Sequence, residues 1–264
     1  MPRSVTPVRL PEFSLAGYSS LLAALKRAGF ELQPLRRLGD PDGPAAFLRH
    51  DIDIHVRGVD AIGRIEEHAG ASATYFVALT QPYNPAYPSN RVVLRELVAL
   101  GHSIGLHYDL TTYPADLEAA RDHLMREVRW LESLVESPVE AICMHKPWDG
   151  LPDIFAVDVP EGLLNPASEE FGSVRYVSDS CRAWRDETLL DCLRTPPASN
   201  LQLNTHPELW LGGAGDDRHR FLEVTLVASS TADAREFLLE VEQPGWRCHP
   251  APRNHDAREA GAAE

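Results

Sequence analysis

The nine residues Phe47 to His55, FLRHDIDIH, bring five ionisable side chains together: Arg49, His50, Asp51, Asp53 and His55. Ala45, Ala46, Phe47 and Leu48 lead into them, as the buried strand of a parallel sheet would. Along a strand, alternate residues share a face, so Arg49, Asp51 and Asp53 stand together. Two carboxylates that close repel each other. A bound cation or a shared proton would make the pairing tolerable, and that is metal or acid–base chemistry. Taken alone, the same residues also read as a solvated strand end.

Comparable groups recur downstream. His107-Tyr108-Asp109, His145-Lys146-Pro147-Trp148, Ser178-Asp179-Ser180 and Thr205-His206-Pro207 each follow a short strand-like stretch. In barrels of alternating strands and helices, the C-terminal strand ends are where sites are built. Of the 11 histidines, His68, His123, His219, His249 and His255 scatter over solvated faces and the tail. His107, His145 and His206 instead fall at strand ends.

The elements that must position these groups alternate. Helices are expected over 15–29, 56–69, 91–100 and 114–135, the first three closed by Gly29, Gly70 and Gly101. Strands are expected over 45–52, 73–78, 103–107 and 139–145, with shorter ones at 173–177 and 200–205. Residues 33–44 read as a charged turn region, and 80–90, with three prolines, as a long loop. Residues 216–242 read as largely helical, with FLEVTLV ambiguous between helix and strand. The tail from Pro244 is expected to fray. The alternation predicts an α/β fold with a parallel sheet in a single domain over 1–264.

Composition narrows the partners. The chain of 264 residues carries 25 basic and 39 acidic side chains, a net charge of −14, which disfavours nucleic acid and anionic membrane. Cys143, Cys181, Cys192 and Cys248 form no CxxC pair and read as reduced thiols. No signal peptide and no membrane-spanning run is visible, so the expected location is the cytoplasm.

From about residue 15 to 212 the chain resembles the polysaccharide deacetylases of carbohydrate esterase family four, in the branch whose first motif reads HDxD. RHDID at 49–53 resembles the first motif and GHSIGLHYD at 101–109 the second. CMHKPW at 143–148, YVSDSCRAW at 176–184 and LQLNTHPELW at 201–210 fall in the order of the third, fourth and fifth. The resemblance implies a distorted (β/α) barrel of about seven parallel strands. It implies one divalent metal, zinc first, with manganese, iron, cobalt or nickel as alternatives. It further implies Asp51 as general base, Asp53 and His107 as metal ligands, His206 as general acid and Asp179 as its partner. The implied reaction removes an acyl group, acetyl first, from an amino sugar or glycoconjugate.

One departure stands out. The family's second motif carries two histidines four residues apart, and here the second place is taken by Thr111. His145, ending the adjacent strand, is the first candidate for the third ligand, and Asp109 is the second. Without a third ligand the chain would be a degenerate glycan-binding member. Hydrolysis of a cyclic amide or imide is a further alternative. Arg49, on the inward face, could hold Asp51 ionised or simply offset the carboxylates. Trp148, Lys146 and Tyr108 are the candidate substrate-binding residues. Trp148, Trp184 and Trp210 could stack on a sugar ring or belong to the core.

Overall fold

The computed structural model describes residues 10–38, 44–146, 150–184, 187–194, 199–212 and 218–241. Among these residues seven strands run in chain order: β1 Glu31–Gln33, β2 Ala45–Ile52, β3 Thr74–Ala78, β4 Ser103–Tyr108, β5 Val139–Met144, β6 Arg175–Ser178 and β7 Leu201–Thr205. Between them lie α1 Leu15–Ala28, α2 Asp60–His68, α3 Pro88–Ala99, α4 Leu117–Val135, α5 Ile154–Val157 and α6 Thr188–Arg194, followed by α7 Arg218–Val241. All strand pairings are parallel, in the order β5-β4-β3-β2-β7-β6, with β1 beside the start of β2. This is the expected α/β fold of seven parallel strands. Among the described residues no ladder joins β5 to β6. Leu164 occupies β5's free side, bridging to Ala141 and bonding Ile142 N–H at 2.8 Å.

Alternation sorts the strand residues onto two faces. Leu48, Ile52, Val77, Leu106 and Ile142 point outward into the main core beneath the helices, where α1 contributes Tyr18, Leu21, Leu22 and Leu25. Phe47, Phe76, Ala141 and Cys143 point inward and pack with Leu164 and Phe171. The interior is tight. A Cβ at Gly105 would lie 2.6 Å from the Phe76 ring and 3.0 Å from the Ala141 carbonyl oxygen, so β4 needs glycine there.

Several boundaries differ from the sequence reading, each for a local reason. Gln33 does not open a turn region: Glu31–Gln33 pairs with Ala45–Phe47, a strand too short to show alternation. Pro88, assigned to the loop, starts α3, where a first-turn proline loses no hydrogen bond. FLEVTLV is helical, within α7. The chain divides into two compact units, Met1–Leu226 and Val227–Glu264. The second is described only through the remainder of α7, and the expected fraying tail lies outside the described residues. Among the described residues, no helix is long and apolar enough to cross a membrane.

Candidate active site

The inward face of β2 ends in an ion pair. Arg49 Nε donates to Asp51 Oδ1 and Arg49 Nη2 to Asp51 Oδ2, both at 2.8 Å. Strand register sets Asn204 of β7 opposite Arg49, and its Nδ2 reaches Asp51 Oδ2 at 3.0 Å. Burial alone would raise the Asp51 pKa. The Arg49 guanidinium, with help from His107 and His206, instead holds it far below the usual carboxylate range. His50, on the opposite face, joins a separate buried network with Glu66 and Thr205.

Asp53 lies just past the end of β2, with a quarter of its side chain (26%) exposed. Glu208 holds the turn there, its Oε1 accepting from the main-chain N–H groups of Asp53 and Ile54 at 2.6 Å each. Around Asp53 Oδ1 stand two imidazole nitrogens, His107 Nε2 at 3.5 Å and His145 Nδ1 at 3.4 Å, which are 3.1 Å from each other. Four-coordinate metal bonds of about 2.0–2.1 Å imply ligand-to-ligand edges of roughly 3.3–3.4 Å, close to these separations. Asp53 Oδ1 is buried and accepts no well-formed hydrogen bond. An orphaned carboxylate oxygen facing two ring nitrogens fits a divalent cation.

The state of His107 agrees. Its Nδ1 lies 3.0 Å from the Cys143 carbonyl oxygen, which can only accept, so Nδ1 carries the proton and Nε2 turns a lone pair toward Asp53. Burial lowers the His107 pKa against the pull of Asp51 and Asp53, which keeps the ring neutral as a ligand must be. His145 is carried in by its main-chain N–H, which bonds the Tyr108 carbonyl at 2.7 Å and extends the β4–β5 pairing.

His206 closes the other side, with Nε2 3.6 Å from Asp53 Oδ2. Its Nδ1 is 2.7 Å from Asp179 Oδ1, and its main-chain N–H bonds both Asp179 oxygens. Trp210 Nε1 donates to Asp179 Oδ2 at 2.7 Å. Burial would lower the His206 pKa, but the Asp179 bond and charge, then Asp53 and Asp51, push it up to about 10. His206 is therefore an imidazolium at neutral pH, with Nε2–H aimed at the cluster.

The structure thus brings Arg49, Asp51, Asp53, His107, His145, Asp179 and His206 to one end of the sheet. Other candidates lie elsewhere. Tyr108 does not face the cluster: alternation turns it away from His107, and its buried hydroxyl donates to Asp153. Lys146 is exposed, on a left-handed backbone with φ 49°. Trp148 lies outside the described residues. Trp210 is fully buried, and Trp184 packs with it and with Phe13. Asp109 Oδ1 accepts from the main-chain N–H and hydroxyl of Thr111, which commits it to a turn rather than to an ion.

The sequence pattern does not single out Glu208, Asn204 or Gln81. Asn204 carried a signal, since it stands two positions before His206 on the inward face of β7. Glu208 carried only its place in the THPELW turn. Burial, reinforced by Asp53, pushes the Glu208 carboxyl up to about 7.

No protein-family model and no characterised protein sequence matches the chain. Solved structures do. A CE4 family pseudoenzyme from Bacillus anthracis aligns at 15% identity over 75% of this chain and 64% of its own, with a TM-score of 0.40. A family 4 carbohydrate esterase from Bacillus anthracis aligns at 14% identity over 81% of this chain and 85% of its own, TM-score 0.35. The Xyl-CE4 domain of a multidomain xylanase from the hindgut metagenome of Trinervitermes trinervoides aligns at 10% identity over 75% and 93%, TM-score 0.39. Likeness of this degree gives no residue a role; the roles rest on the geometry above.

Proposed function

We propose that this chain is a divalent-metal hydrolase that removes an acyl group from the nitrogen of an amino sugar. One observation carries the reading: Asp53, His107 and His145 present ligand atoms all within 4.8 Å of one another, with the Asp51 carboxylate on one flank and the His206 imidazole on the other. His145 takes the place that the Thr111 departure leaves open.

When bound, the cation supplies Lewis acidity, polarising the amide carbonyl and acidifying water. The remaining work falls to side chains. Asp53, His107 and His145 hold the ion. Asp51, kept ionised by Arg49, accepts a proton from the water that attacks the amide carbon. His206 gives its Nε2 proton to the departing nitrogen as the carbon–nitrogen bond breaks, and Asp179 keeps the ring charged and oriented until then. An amine leaves only when protonated, so an acid of this kind suits an amide more than an ester. The net charge of −14 suits a neutral or cationic sugar better than a polyanion.

The test is elemental analysis of the purified protein combined with acetate release from N-acetylglucosamine oligomers. We expect a bound divalent ion and amide hydrolysis, both lost in Asp53→Ala. A wild-type protein that takes up no divalent ion overturns the reading. Turnover of a cyclic imide with none of N-acetyl sugars would keep the metal chemistry and replace the substrate.

A further inference from the structure

Two of the three proposed ligands are oriented from behind by groups with fixed roles. The Cys143 carbonyl fixes the protonated nitrogen of His107, and Glu208 fixes the main chain at Asp53. Behind His145 stands a different kind of group. Its outer nitrogen, Nε2, lies 2.9 Å from the side-chain amide nitrogen of Gln81. An amide nitrogen only donates, so with the amide turned this way His145 Nε2 accepts and Nδ1 carries the ring proton. That proton points to His107 Nε2 at 3.1 Å, a nitrogen already shown to hold a lone pair, with Asp53 Oδ1 at 3.4 Å. In this arrangement the Nδ1 proton lies between the two imidazoles, and Asp53 Oδ1 still accepts no well-formed hydrogen bond.

Half a turn of the Gln81 amide reverses the logic. Its oxygen then faces His145 Nε2, which keeps the proton, and Nδ1 turns a lone pair into the cluster. We propose that Gln81 is a positioning residue that holds the His145 ring from behind and, with its amide oxygen turned to the Nε2 proton, presents Nδ1 to the cation. The proposal rests on the reading of Asp53, His107 and His145 as ligands. A primary amide suits the task because it can donate or accept through groups of nearly equal size. A carboxylate could only accept, and an aliphatic side chain could do neither.

The loop between β3 and α3 is built to keep Gln81 in place. Two residues on, the Tyr83 hydroxyl donates to the Ile52 carbonyl at 2.8 Å and accepts from Ala78 N–H at 3.0 Å. This fastens the loop to the strand end that carries Asp53. Further along, Asn90 Nδ2 bonds the Asn84 carbonyl at 2.9 Å, and Pro82, Pro85 and Pro88 restrict the backbone. A loop with no regular structure is thereby tied at one point to the strand end that carries Asp53 and at another to the start of α3.

The experiment uses the full chain, Zn(II) and two variants, Gln81→Leu and the near-isosteric Gln81→Glu. Zinc affinity is read by competition with a chromophoric chelator. The His145 tautomer of the metal-free protein is read from its ring nitrogen NMR signals. We expect Gln81→Leu to weaken zinc binding by about 10–100-fold, the usual effect of removing a group that orients a ligand. We expect Gln81→Glu to restore the affinity and to move the His145 proton from Nδ1 to Nε2 without metal. If His145→Ala weakens zinc binding while both Gln81 variants bind like wild type, the role of Gln81 is overturned and the ligand set stands. An unmoved tautomer in Gln81→Glu overturns it as well. If neither Asp53→Ala nor His145→Ala changes zinc binding, the ligand set itself is wrong and the role of Gln81 falls with it.

Discussion

Asp179 and His206 meet at 2.7 Å where β6 and β7 end, and Trp210 holds the far oxygen of the same carboxylate. Asp179 is fully buried, so its charge acts on the imidazole with little screening. Replacing it with asparagine keeps the shape and removes the charge. His206 is protonated below about 10 and loses its proton as the pH rises through that value. In Asp179→Asn the titration should fall toward the ordinary imidazole range near ~6.5. His206 ring signals followed against pH in the metal-free protein check this. With substrate, the variant should lose about 10²–10⁴-fold in kcat/KM at neutral pH, the usual worth of a general acid. An unchanged titration would show that Asp179 does not control the proton.

Arg49 and Asp51 form a buried two-pronged pair, their side chains 9% and 5% exposed. Removing one partner strands the other charge. Arg49→Leu should cost about 3–5 kcal/mol in unfolding free energy, measured by urea denaturation. Arg49→Lys should recover only part of it, because an ammonium cannot reproduce the fork. A lysine variant as stable as wild type would show that charge alone suffices.

Ligand removal should be visible without substrate. A cation bound at a hundredfold excess over its Kd adds about 2.7 kcal/mol of stability, or roughly 5–10 °C in Tm for a chain of this size. Adding a chelator to the metal-loaded protein should lower Tm by that amount in wild type and leave Asp53→Ala unmoved. Equal shifts in both proteins would place the stabilising ion elsewhere.

Across the sheet from the cluster, Glu66 is wholly buried and accepts from Tyr18 at 2.5 Å and Tyr75 at 2.6 Å, with His50 Nε2 at 2.7 Å. Burial would raise its pKa, but His50, His102 and Tyr18 hold it below the usual value of 4.5. A depressed carboxylate stabilises the fold above the unfolded-state pKa, and that contribution disappears as the pH falls through the lower folded-state value. Glu66→Gln should therefore be less stable at pH 7, by about 1–3 kcal/mol, with the gap to wild type closing as acid is added. Urea midpoints at several pH values between 3 and 7 test the slope. Parallel curves would exclude Glu66 as its source.

Much of this arrangement was legible in the sequence because strands obey a period of two. Arg49 and Asp51 share a face for that reason, as do Asn204 and His206. The same rule, applied to Tyr108, would have turned it outward, since a neighbour of His107 on a strand cannot share its direction. His145 stood out because it ends the strand beside the one that carries His107. Asp109 fits the same sequence criterion, and only the structure shows its carboxylate taken by Thr111. Gln81 was invisible: loops have no period, and a glutamine among prolines and tyrosines signals nothing until its amide is found behind a histidine. The three-residue β1 escaped for a related reason, having too few residues to alternate.

The residues proposed to hold the ion come from three separate strands: the end of β2 in the middle of the sheet, β4, and the end of β5 at the margin where, among the described residues, no ladder continues to β6. An ion seated there would act as a clasp, tying that margin to the centre of the sheet. The amide hydrogens of β5 should then exchange with solvent more slowly when metal is supplied, while those of β7 change little. Metal availability would set how firmly that margin of the sheet is held.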